Sequence, residues 1–223
     1  MKQLLKWGMY ISFLLLIAGC TEAEKKQTPS STRLTIEPYN LTEREKELIS
    51  KTGADHIEFF NLNGTLKKGD DIQYTVVLYK DGKFEQNMLV SFGEIKHAFR
   101  DKIISFGTSD LDSEKGFVKL LEGLPDGLAA TVFEHKMTAW SFNSLIHEKI
   151  TLKKDKPVYL AGWSGTTKNS MGSLHSDHGE LPRGLKETEI ALYSIKSNGR
   201  MHRKKTSPIK KNLSSFHLFL QNS

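Results

Sequence analysis

The sequence is short of cysteine: Cys20 is the only one among 223 residues. Without a second thiol no internal disulfide can form, so the fold must rest on buried apolar area and hydrogen bonding. Long apolar runs are also missing. Residues 7–19 make thirteen positions that are apolar or small at all but Ser12, whereas a helix needs about 20 to cross a bilayer core. No second candidate span follows, which argues against a helical membrane protein with several spans. Neither an internal repeat nor a strand–helix alternation is visible, which excludes solenoids and parallel α/β folds. Acidic residues are absent after Glu189. The formal charge of +6 is therefore unevenly placed. Lys2 and Lys6 stand before the apolar run, and seven bases between Lys196 and Lys211 close the chain. Setting those nine aside leaves 23 bases against 26 acids, so the body is mildly acidic. Nucleic-acid binding calls for a basic stripe on the folded part, so no nucleic-acid partner is expected.

What is present at the N-terminus is a basic head, a short apolar core and small residues at its end, the pattern of a secretory signal peptide over residues 1–19. Its end is more specific. Ile17-Ala18-Gly19-Cys20 resembles the lipobox of bacterial lipoproteins, in which an aliphatic residue and two small ones precede an obligatory cysteine. The resemblance covers residues 1–20 only. It implies that the Cys20 sulfur receives a diacylglyceryl group and that the chain is cut before Cys20. The other reading is an ordinary secretory signal, which would leave Cys20 as a stray thiol. One fatty chain gives marginal membrane binding and two give stable anchoring, so a diacylated Cys20 would suffice as a handle. The expected location is the extracytoplasmic face of the cell membrane, with membrane lipid as a partner through Cys20.

Residues 20–33 continue as "CTEAEKKQTPSSTR", with no aliphatic side chain beyond alanine after the cysteine. Such a stretch buries too little to order itself and reads as a stalk. Residues 34–195 read as the folded domain. Thr42 with Glu45 three residues later forms a capping box, and Gly53 supplies a stop, so one short helix is expected between them. The apolar period then drops to 2. Ile72, Tyr74, Val76 and Leu78 alternate, Asp81-Gly82 follows, and a second β-rich run begins at Phe84, the strongest hairpin signal in the chain. Further strands are expected near 57–62, 98–106, 128–134, 138–142, 146–152, 158–163 and 188–195. Eight or nine short strands, one N-terminal helix and frequent turn signals predict a mainly β fold, an antiparallel β-sandwich. Residues 196–223 read as a basic tail, either a polybasic arm for anionic surfaces or an unselected extension.

No motif names a reaction, and no cofactor is expected. His175, Asp177 and His178 are suitable zinc donors, but two histidines and a carboxylate do not close a site without a further ligand, for which His135 or His147 would have to come near. Asp110, Asp112 and Glu114 alternate as in a calcium loop, yet Lys115 stands where that loop requires glycine and Leu121 where it requires glutamate. Gly162-Trp163-Ser164-Gly165 starts like a nucleophile elbow and fails at Thr166, where a glycine is needed. Trp140, Trp163, Tyr79 and Tyr159 could line a sugar platform or fill a core, since each buries a large apolar area around one polar atom. A core role is the favoured reading, with Trp163, at a strand end beside the long 164–187 segment, the most exposed candidate; Trp163 and Trp140 are the ligand-binding candidates. The expectation is a non-catalytic binding or accessory module that engages an envelope polymer or protein through this segment. The alternative is a metal-dependent hydrolase built on His175, Asp177 and His178.

Overall fold

Lys80-Asp81-Gly82-Lys83 makes the turn that its composition calls for. Asp81 and Gly82 both adopt positive φ, 50° and 77°, the two-residue turn whose twist matches that of paired strands. It joins β3 (Asp71–Lys80) to β4 (Lys83–Phe92), with Lys80 opposite Lys83. This and the rest of the fold are taken from a computed structural model, which describes residues 29–92, 96–112, 116–168, 174–183 and 189–199. The signal segment 1–19, Cys20, most of the stalk and the tail from Arg200 lie outside the described residues.

The other elements are β1 (Arg33–Pro38), α1 (Glu43–Ile49), β2 (His56–Thr65), β5 (Ala98–Asp112), β6 (Phe117–Leu124), β7 (Gly127–Glu134), β8 (Ala139–Ser144), β9 (Ile150–Thr151), β10 (Val158–Thr166) and β11 (Glu189–Asn198). They form two antiparallel sheets, ordered β7-β6-β5-β2-β1-β9 and β4-β3-β11-β10-β8. The protein is thus a mainly β antiparallel sandwich, with one short helix among the described residues. Among the described residues eleven strands appear where eight or nine were expected. The two additions are β1 and β6, and the outer strands reach Arg33 and Asn198. Helix α1 starts as predicted: the Glu45 N–H donates to Thr42 Oγ1 at 3.3 Å, and the Thr42 N–H donates to Glu45 Oε2 at 2.7 Å.

The core between the sheets follows the alternation of the strands. Leu34 and Ile36 from β1, Ile104 and Phe106 from β5, and Val118 and Leu120 from β6 meet Ile72, Tyr74, Val76 and Leu78 from β3. The five-stranded sheet is covered on its other face as well, where Leu145, Tyr159, Leu174, Ile190 and Leu192 form a second cluster. That explains why every residue of β10 is buried. Gly64 shows how tightly the strands approach. Its φ is +119°, and a Cβ there would lie 2.0 Å from the Arg33 carbonyl oxygen, so no other residue fits.

Among the described residues one charged side chain lies inside this core. Glu122 on β6 follows Val118 and Leu120 on the inward face and is fully buried. Ser91 Oγ, from the opposite sheet, donates to Glu122 Oε2 at 2.7 Å, while Oε1 meets no protein partner. Burial pushes the carboxyl up to about 7, the Ser91 hydrogen bond acting the other way.

Candidate functional site

Between β7 and β8 the chain passes from the six-stranded to the five-stranded sheet. Residues 135–138 make that passage, and His135, Met137 and Thr138 of it line a cleft of about 180 Å³ at one end of the sandwich. Main-chain bonds fix the passage at both ends. The His135 N–H donates to Gly116 O at 2.8 Å, and the Thr138 N–H donates to Thr166 O at 3.0 Å. Met137 N–H donates to His135 Nδ1 at 3.2 Å, which puts the ring proton of a neutral His135 on Nε2.

The inner end of the cleft is aromatic. Trp163 stands edge-on to Phe133 with ring centroids 5.4 Å apart, and the His135 ring lies 5.0 Å away. Gly165 permits this packing, because a Cβ there would sit 2.5 Å from Met137 Cγ and 2.6 Å from Trp163 Cη2. At the mouth, Trp140 is 40% exposed and edge-on to His56 at 5.2 Å. Asp55 adds the one carboxylate of the lining, and no lysine or arginine joins it among the described residues. Nearby, burial raises the Glu58 carboxyl above its ordinary range, against the pull of His147 and His56.

Thr108 is the least expected member of the lining. It continues the inward row Ile104, Phe106 on β5 and is 1% exposed, yet its Oγ1 meets no protein hydrogen-bond partner. An unpaired buried hydroxyl costs about 1–3 kcal/mol. Thr108→Val keeps the shape and removes that cost, so the variant should unfold at higher urea, by about 1 kcal/mol or more. A variant no more stable than the parent would show that the hydroxyl is already satisfied.

Trp163, expected to be the most exposed aromatic, is 1% exposed. It sits in a strand covered on both faces, and its ring belongs to the core, reaching the cleft only from within. Trp140 carries the exposed surface instead. Tyr79 and Tyr159 lie elsewhere, their hydroxyls 3.3 Å apart. The 164–187 segment is not one open loop: Ser164, Gly165 and Thr166 complete β10, and His175 pairs with Arg183 in an antiparallel bridge.

The histidine-rich stretch is a surface turn, with positive φ at His178 and Gly179. It borders a second depression of about 310 Å³ with His147 and Glu148. His178 Nδ1 lies 2.5 Å from Glu148 Oε1, and Arg183 Nη2 lies 3.1 Å from Asp177 Oδ2. His175 is exposed and does not line that depression. Among the described residues no three His, Cys, Asp or Glu side chains are arranged to hold a metal ion. Ser164 is buried in mid-strand, 3.1 Å from Ser141 Oγ. Asp110 and Asp112 fall within β5 instead of in a turn, and Glu114 and Lys115 lie outside the described residues.

Asp55, Thr108, Met137 and Thr138 carry no motif that would mark them in the sequence. Thr108 alone left a trace, as the next inward position after Ile104 and Phe106. No family model, no curated protein and no solved structure matches this chain.

Proposed function

We propose that this protein is a lipid-anchored binding module of the extracytoplasmic cell surface, without a catalytic role. Ile17-Ala18-Gly19-Cys20, placed after a basic head and a thirteen-residue apolar run, carries this reading. A diacylated cysteine brings two fatty chains to one residue, enough for stable anchoring. A sandwich with a small mixed cleft at one end, and no clustered nucleophile, base and orienting acid among its described residues, suits recognition better than turnover. The metal-dependent alternative gains no support from the geometry, since Asp177 and His178 are drawn to separate partners.

Metabolic labelling with a palmitate analogue tests the anchor. Label is expected on the full-length chain and absent from Cys20→Ala, and mass spectrometry should find the mature chain starting at a lipid-modified Cys20. An unlipidated wild-type chain would overturn the proposal.

A further inference from the structure

We infer that the end of the sandwich opposite the cleft is a docking surface for anionic lipid, built from the turns between strands. Register and main-chain bonds put those turns together. Arg33 at the start of β1 lies opposite Thr65, and Asn198 at the end of β11 lies opposite Asp71. The Leu66 N–H donates to His97 O, the Lys67 N–H to Thr32 Oγ1 and the Asp155 N–H to Ser197 O. The β2–β3, β4–β5 and β9–β10 connections therefore share one end, and Lys96 reaches Asp126 of the β6–β7 turn. Lys96 and Lys154 have carboxylate neighbours there, Asp126 and Asp70. Arg33, Lys67, Lys68, Lys153 and Lys156 are exposed and enter no ion pair among the described residues. Against these seven bases stand Asp70, Asp71, Asp126 and Asp155, while Glu94 lies outside the described residues. On the flank beside β10, Glu148 and Asp177 face His178 and Arg183, which leaves Glu180. The cleft end has no such excess: α1 alone sets Glu43, Glu45 and Glu47 against Arg44 and Lys46. A mildly acidic body thus carries a basic end.

Cations held on short turns suit a surface of negative charge, and each base close to anionic lipid strengthens binding about fivefold. The stalk selects lipid as that surface, because it joins the fold at Arg33, at this end. The basic tail from Arg200 begins there as well, after Asn198. Strand β3 runs for ten residues, so about 30 Å separates the two ends. That is several Debye lengths at physiological salt. Asp55 and the acids of α1 therefore feel little repulsion when the basic end meets lipid, and the cleft faces away from the membrane. That the anchored chain presents this end to its own membrane rests on the lipid-anchor reading above. The attraction to anionic lipid does not, so labelling and vesicle binding can fail separately.

The test is co-sedimentation of the full-length Cys20→Ala chain, which carries no lipid of its own, with two kinds of vesicle. One is phosphatidylcholine alone, the other phosphatidylcholine mixed with phosphatidylglycerol. Binding should favour the anionic vesicles and fall as salt rises. Neutralising Lys67, Lys68, Lys153 and Lys156 together, each Lys→Gln, should lower the partition coefficient at least about a hundredfold. The matched control is Arg44→Gln with Lys51→Gln, Lys83→Gln and Lys136→Gln, at the cleft end. It changes net charge equally, leaves the tail and the apolar N-terminal run in place, and should shift binding less than about twofold. All eight side chains are exposed, so both variants should unfold at the parent's urea concentration. Equal losses in the two variants would overturn the inference, as would parent-like binding in the first or equal binding to neutral vesicles. So would a preference for a DNA duplex over anionic vesicles at equal accessible phosphate, which would make the end a nucleic-acid surface.

Discussion

As pH rises from 4.5 to about 7, the folded state is expected to lose about 3 kcal/mol of stability through Glu122 alone. The unfolded carboxyl releases its proton near 4.5, while the buried one holds it to about 7. Across that window the folded chain binds more protons than the unfolded chain, so stability falls with pH. Below the window both states are protonated and this contribution is fully present; above it, both are ionised and the loss is complete. The cause is burial, only partly offset by the hydroxyl of Ser91. Glu58 acts in the same direction. Glu45, held down chiefly by the Thr42 hydroxyl, acts in the opposite direction and at lower pH. Urea unfolding on either side of the window measures the effect. Glu122→Gln, which cannot ionise and keeps an acceptor for Ser91, should flatten most of the slope. Wild-type stability that is level or rising across the window would show that Glu122 is not buried as a charge.

Trp163→Ala is expected to destabilise the protein by about 3–5 kcal/mol, whereas Trp140→Ala should cost much less. The first ring lies in the core against Phe133 and His135, and its removal leaves a cavity between two sheets. The second is 40% exposed on an edge strand, where solvent fills the space. Urea or thermal unfolding of both variants gives the comparison. Equal stabilities would place Trp163 outside the core.

These results also show where period-2 reading stops. The β3–β4 hairpin was legible because Asp81-Gly82 interrupts two long β-rich runs, and α1 was legible from Thr42 and Glu45. Strand β6 was not. Its inward row is Val118, Leu120, Glu122, and a glutamate at the third position disguises the alternation. Strand β1 offers only Leu34 and Ile36, too short a pattern beside a polar stalk. For Trp163, a place next to a glycine-rich stretch suggested exposure, but β10 is covered on both faces by strands and segments distant in the chain.

By itself the sequence determined the antiparallel β character of the protein, its lack of internal disulfides, the capped helix α1 and the expectation of a lipid handle at Cys20. Each of these depends on residues near one another in the chain, through turn chemistry, capping, alternation or a contiguous processing signal. The tertiary structure alone decided which aromatic faces solvent, that Glu122 is enclosed, and that Asp55, Thr108, His135 and Trp140 border one cleft. Those properties arise where two sheets meet, between residues tens of positions apart, and no local pattern encodes such a meeting.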